Sequence, residues 1–204
     1  MSSRYNIPQP GRHRSEEIVK RSRFITTVAW APDVGAAKAF VESIKAEFPD
    51  ATHNCWAYAA GPPGDTAAVG FSDDGEPHGT AGRPMLNALL HSGIGEAAVV
   101  VTRYFGGVKL GSGGLVRAYS GATVSGLEAT PLREKITPVR FMVTLDYALI
   151  TPFKRALEGF EAVVLEEVFT DSVVVCLEMP EEHAENFMRS LTELSYGRAD
   201  IRKI

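Results

Sequence analysis

Between Gly70 and Gly126 the chain twice places a glycine-dense loop between an apolar run and a helical pattern, and this layout limits the folds open to it more than any other feature. Gly75, Gly79 and Gly82 fall in the first loop, and Gly106, Gly107, Gly111, Gly113 and Gly114 in the second. Glycine at this density means backbone at positive φ, or backbone that something approaches closely. Each glycine also costs conformational entropy on folding, so both loops need a reason to exist.

The first loop follows Ala67–Phe71 and reads Ser72-Asp73-Asp74-Gly75-Glu76-Pro77, continuing to Gly79, Thr80 and Gly82. Asp-Asp-Gly signals a turn, because Asp bonds its own backbone and Gly accepts positive φ. Thr80 is the expected N-cap of the next helix, with Pro84 in its first turn. Met85, Leu86, Leu89 and Leu90 give one buried face, and Gly93 a stop. The second loop follows Ala97–Val101, an expected strand buried on both faces, with Arg103, Tyr104 and Phe105 at its end. Gly106–Gly114 is the loop, and a helix is expected over Leu115–Leu127.

Strand, glycine loop and helix in succession can hold an anion, since bare N–H groups and a helix N-terminus face one point. Lys109 lies in the loop, Arg117 about one turn into the helix, Arg103 at the strand end, and Arg83 at the start of the earlier helix. The candidate anion or nucleic-acid site is Arg83, Arg103, Gly106, Gly107, Lys109, Gly111, Ser112, Gly113, Gly114 and Arg117, with the four cations around one patch. A packing role for the glycines, Gly113 included, is compatible with it. Ser72 to Pro77, with Gly79, Thr80 and Gly82, is expected to be a structural loop whose acids bond backbone N–H groups.

Ser72, Asp73, Asp74, Glu76 and His78 supply nucleophile, acid and base types within seven residues. Catalytic partners must converge from separate elements, however, and no G-x-S-x-G frames Ser72. With His53 the same acids would make only a weak oxygen-rich metal site, and H-E-x-x-H, cysteine-pair and EF-hand spacings are absent. The expectation is a binding protein with no catalytic residues, no cofactor and no metal.

FSDDGEPHGTAGRPML, VVVTRYFGGVKLGSGGLVRAY and the earlier KRSRFI resemble the signature blocks of the IMPACT family in its bacterial, YigZ-type form, over essentially the whole chain. The resemblance implies an α+β protein: an N-terminal ribosomal protein S5 domain 2-like domain at 1–137, then a ferredoxin-like domain at 138–204. It also implies likeness to the last two domains of elongation factor G. The implied function is translation-associated regulation, by binding RNA or a ribosomal surface. The alternatives are regulation through a protein partner, or a small-molecule or nucleotide-binding enzyme using Gly106–Gly114. That loop is similar to the phosphate loop of the GHMP small-molecule kinases, but lacks the G-K-[ST] ending of a P-loop.

The net charge of −4 is unlike that of a general polyanion binder. The halves differ: residues 1–137 carry 14 Lys+Arg against 13 Asp+Glu, and residues 138–204 carry 7 against 12. A nucleic-acid site therefore belongs on the first domain as a local patch, with no DNA preference inferable. No secretory leader pattern is read at the N-terminus, and no apolar run approaches membrane-spanning length. A cytoplasmic protein with two buried thiols, Cys55 and Cys176, is expected.

Residues 1–14, rich in proline and arginine, are expected to be a loose arm. Strands are expected from Glu16 and over Phe24–Trp30, with Lys20, Arg21 and Arg23 at a hairpin turn or edge that a phosphate could contact. Asp33 should cap a helix through Phe48. Trp56 and Tyr58 share one face of a strand, as core or as a base-stacking platform. Pro131 and Pro138 bracket the expected linker. After Val139 the pattern is β-α-β-β-α-β, with Thr151 as the first helix cap, a split βαβ unit legible without the resemblance.

Overall fold

Ala97 to Val101 have no exposed surface, which requires a sheet covered on both sides. Residues 4–204 are described by the computed structural model, and they form two compact units. One is Tyr5–Lys135, and the other is Ile136–Ile204 with Arg4.

The first unit contains β1 (Arg4–Pro8, whose first residue belongs to the second unit), β2 (Arg12–Val19), β3 (Ser22–Trp30), α1 (Val34–Glu47), β4 (His53–Ala59), β5 (Val69–Ser72), α2 (Gly82–His91), β6 (Ala97–Tyr104) and α3 (Ser112–Glu128), followed by β7 (Leu132–Ile136) at the division. Five strands form one sheet in the order β2-β3-β6-β4-β5, every neighbouring pair antiparallel. Alternate residues of β6 point to opposite faces. Ala97, Val99 and Val101 join Met85 and Leu89 of α2 and Leu115 and Tyr119 of α3 in one core. Ala98 and Val100 join Ala37, Phe40, Val41 and Ile44 of α1 in the other. Trp56 and Tyr58 stack with ring centroids 5.7 Å apart. Tyr58 is buried in the α1 core with Trp56 packed against it, so this pair is core. Asp33 Oδ1 caps α1 by accepting from the Ala36 N–H at 2.8 Å.

Two segments expected to be irregular are strands. Residues 4–14 hold β1 and the start of β2; the first three residues of the expected arm lie outside the described ones. The expected linker is β7, which pairs with β1 in a two-stranded ribbon. The ribbon is pinned by the buried Glu96, which accepts from Tyr5 Oη and Trp30 Nε1, both at 2.8 Å, and pairs with Lys135. Local pattern hid β1 and β7, because each finds its partner more than a hundred residues away.

The second unit runs β8 (Pro138–Leu145), α4 (Ile150–Leu157), β9 (Val163–Phe169), β10 (Val173–Pro180), α5 (Ala184–Ser195) and β11 (Asp200–Lys203). Its sheet order is β11-β8-β10-β9, the ferredoxin-like arrangement. Phe153 and Leu157 of α4 and Phe187 and Leu191 of α5 cover one sheet face. Met142 and Cys176, opposite each other in register, lie on the other, so Cys176 is half-buried rather than buried. Thr151 is not a cap: a 3₁₀ turn at Tyr147–Leu149 leads straight into α4 and leaves Thr151 inside it.

The glycine-rich loop also ends sooner than expected. α3 begins at Ser112 with Gly111 as N-cap at φ 74°, so Gly113 and Gly114 are helical. Gly113 faces open space, and the packing role falls to Gly106, where a Cβ would lie 2.0 Å from the Arg21 carbonyl. Gly106→Ala should therefore lower stability by roughly 1–3 kcal/mol through overpacking. Gly113→Ala should raise it by about 0.4–1 kcal/mol by restricting the unfolded chain. Thermal melts of the two variants should move in opposite directions.

Candidate functional site

The loop after β5 is held by a carboxylate that reaches forward. Asp73 Oδ1 accepts from the N–H groups of Ala81 and Gly82 at 3.0 and 2.9 Å, and Oδ2 from Gly79 at 2.8 Å. Asp73 therefore does the capping expected of Thr80, whose hydroxyl donates to the Pro77 carbonyl instead. Burial by itself would raise the Asp73 carboxyl pKa, but the three N–H donors outweigh it and hold the group below the usual Asp range. Gly82 permits this closure, since a Cβ there would meet the Ser72 backbone at 2.7 Å. Asp74, at φ 44°, accepts from the Asn54 N–H at 2.7 Å and pairs with Lys45 at 2.9 Å. The structural reading of Asp73 and Asp74 fits this geometry.

Glu76 has a different setting. It is buried, and its Oε1 accepts from Arg103 Nη1 at 2.5 Å and from Tyr119 Oη at 2.8 Å. His53 Nδ1 donates to the Asp74 carbonyl at 2.9 Å, which leaves Nε2 3.8 Å from Glu76 Oε2. The β4–β6 register places His53 opposite Arg103. Arg103 is only 5% exposed, and its guanidinium lies between the Phe24 and Phe105 rings, 5.6 and 5.7 Å from their centroids. Its Nη2 donates to Ser22 Oγ at 3.3 Å, while the buried Nε–H has no acceptor among the described residues. Arg103 is thus not the surface cation expected from the sequence. It is a buried cation lining a cavity of about 400 Å3, together with Glu76, His53, Phe105, Lys109, Gly111 and Ser112. Burial pushes the Cys55 thiol and Tyr119 hydroxyl pKa values up, so both remain neutral hydrogen-bonding groups.

The four expected cations do not share one patch. Arg117 lines a second cavity of about 320 Å3 with Lys20, Glu17 and Gly121; Leu110 lines both cavities. Arg83, exposed on α2, lines neither. In its place stands the hairpin turn between β2 and β3. Its two residues, Lys20 and Arg21, have φ of 45° and 69°, the backbone of a type I′ turn usually filled by Asn and Gly. Gly106 packs on this turn, which joins the β2–β3 hairpin to the loop before α3. Lys20, Arg21, Lys109 and Arg117 are exposed and make no ion pair among the described residues. Arg12, Arg14 and Arg23 nearby in sequence all pair with glutamates.

The Impact N-terminal domain matches residues 20–127, the span that contains both loops and every residue named above as lining the first cavity. A domain of unknown function, DUF1949, matches residues 143–198. The IMPACT family member YigZ of Escherichia coli (strain K12) is 40% identical over 188 residues, covering 92% of each chain. The chain belongs to the IMPACT family. The family member YvyE of Bacillus subtilis (strain 168) is 32% identical over 203 residues, covering 100% of this chain and 92% of its own. A solved structure described only as that of a hypothetical protein superposes with a TM-score of 0.67 at 38% identity, covering 100% of this chain and 98% of that one.

Asp73→Asn keeps the shape but removes the charge. Because the folded-state pKa of Asp73 is depressed, its stabilising contribution is present above the unfolded Asp pKa and fades as pH falls through the folded value. The wild type should therefore lose stability between neutral and acid pH more steeply than Asp73→Asn, measured by denaturant unfolding across that range. Arg103→Ala, which strands the buried Glu76 charge, should cost about 3–5 kcal/mol at neutral pH in the same measurement.

Proposed function

We propose that this protein is a translation-associated regulator that binds RNA, as such or on a ribosomal surface, through the first unit, and that it binds rather than catalyses. The observation that carries this reading is a set of exposed cations that make no ion pair among the described residues: Lys20 and Arg117 line one cavity, Lys109 lines the adjoining one, and Arg21 shares with Lys20 the turn on which Gly106 packs. A side chain free of intramolecular pairing keeps its full charge for a phosphate. The N-terminus of α3, with no acidic residue in its first turn, adds the positive end of a helix dipole. A non-glycine type I′ turn costs backbone strain, and strain of this kind concentrates at functional sites. The ferredoxin-like unit carries a net negative charge, with 7 Lys+Arg against 12 Asp+Glu in residues 138–204. The pairing of S5 domain 2-like and ferredoxin-like units, in the order of an elongation-factor tail, favours the ribosome as the place of action by fold analogy.

The charge-reversal pair Lys20→Glu/Arg117→Glu should weaken binding of single-stranded ribosomal RNA fragments and reduce the slope of log K against log salt by about 0.7 per lost phosphate contact. Its melting temperature should stay close to wild type, because solvated charges contribute little to stability. Anisotropy titrations at several salt concentrations read both affinity and slope. Equal affinities and slopes would overturn the RNA reading and leave a protein partner as the ligand of this surface.

A further inference from the structure

The five-stranded and four-stranded sheets present four edge strands, β2, β5, β9 and β11. An edge carries unpaired backbone N–H and C=O groups and invites a further strand, so proteins shorten their edges or line them with charge. Three of the four follow this rule. β5 and β11 have four residues each, and β11 carries Asp200, Arg202 and Lys203. β2 carries Arg12, Arg14 and Glu16, all held in ion pairs.

β9 departs from it. The strand is seven residues long, and Val163, Val164, Leu165, Val168 and Phe169 are all exposed. A β-bulge leaves Leu165 without a partner on β10, since Val164 lies opposite Leu177 and Glu166 opposite Cys176. Bulges protect some edges by twisting them away. Here Glu166–Phe169 keep an unbroken register with Val173–Cys176, and Val164 and Leu165 both line a groove of about 650 Å3 between β9 and the end of α4.

Charge selects the occupant. The groove is lined by Glu158, Glu161, Glu166 and Glu167 against one base, Lys154. Lys154 pairs with Glu167, and Glu161 pairs with Arg4 and His183. Glu158 and Glu166 are exposed and make no ion pair among the described residues. Glu158 is also the C-cap of α4, the helix end at which the macrodipole disfavours an acid. RNA is repelled by such a surface. A second copy of this chain is disfavoured as well: β9 paired antiparallel over its full length with another β9 sets the two Glu166 carboxylates opposite each other, and like charges so placed destabilise a sheet.

We propose that β9 is a docking edge for an extended, basic segment of a protein partner. The segment adds a strand to the sheet through backbone hydrogen bonds, and its lysine or arginine side chains meet the glutamates of the groove. The register sets its pattern. Glu167, opposite Val175, faces the α4 side of the sheet, and Val168, opposite Val174, faces the open side. A strand that alternates basic and apolar residues matches both. The proposal concerns the second unit and does not rest on the RNA reading of the first.

The test uses a labelled Lys-Val-Lys-Val-Lys-Val-Lys peptide, matched in length to β9 and titrated with the full chain by anisotropy. One control is the Glu-Val-Glu-Val-Glu-Val-Glu peptide. The other is the lysine peptide N-methylated at every residue, which keeps its charge and loses its backbone donors. Hydrogen exchange reads which amides the peptide protects. The lysine peptide should bind and protect residues 163–169, and both controls should bind at least about tenfold more weakly. Glu158→Gln/Glu166→Gln should weaken the lysine peptide by roughly fivefold. Val163→Lys/Leu165→Lys, which places lysines on the edge, should abolish binding. All four substituted positions are exposed, so both variants should melt close to wild type. Absence of binding, equal binding of the N-methylated peptide, protection confined to other segments, or unchanged binding in the lysine variant would each overturn the proposal. A concentration-dependent dimer whose β9 amides are protected without peptide would overturn it too, by making a second copy the occupant.

Discussion

The buried contact between Glu76 and Arg103 joins three parts of the first unit that are distant in sequence. Glu76 comes from the loop before α2, Arg103 from the end of β6, and the third group, Tyr119, from α3. An ion pair this deep repays its desolvation only when its remaining lone pairs and protons are also satisfied. Tyr119 supplies one such bond and Ser22 another, while the Phe24 and Phe105 rings shield the guanidinium. The position of the glycine-rich loop follows from this arrangement. Ser22 Oγ also accepts from the Gly106 N–H at 3.3 Å, so the residue that helps hold Arg103 also anchors the start of the loop.

The two motif loops therefore have different work, although both are dense in glycine. In the first, the carboxylates of Asp73 and Asp74 fix backbone, and Gly82 lets a helix start directly against the preceding strand. In the second, Gly106 lies against the Arg21 backbone and Gly114 close to Leu110, and Gly111 sets the N-cap in a left-handed backbone. The loop leaves its helix end and its lysine facing a cavity rather than filled by protein. The acids of the first loop are taken up by backbone N–H groups, and recognition is proposed for the second. This division explains why acids are plentiful in one and absent from the other.

Strand β6 couples both loops to the rest of the unit. Its residues are buried on both faces, so it has no freedom to shift without disturbing two cores. Arg103 lies at the end of that strand, opposite His53. Its guanidinium is thus positioned by a rigid element rather than by a loop, which is the arrangement a recognition site needs.

Local pattern was enough for the solid strand Ala97–Val101, for α1 with its Asp33 cap, for the β-α-β-β-α-β order of the second unit, and for the presence of two functional-looking loops. Each depends on hydrophobic period or on turn chemistry within a few residues. Pairing over distance was not written locally. The ribbon of β1 and β7, the capping of α2 by Asp73 rather than Thr80, and the burial of Arg103 against Glu76 all depend on which segments the fold brings together. The same is true of the absence of Arg83 from both cavities, of the placing of Arg117 and Lys109 on adjoining ones, and of the arrival of Lys20 and Arg21 beside the second loop. A charged residue reads as surface in a sequence because an isolated charge costs too much to bury. Only the tertiary structure supplies the partner that changes that balance, and so only it decided which arginine became the floor of a cavity and which lysines remained free to bind.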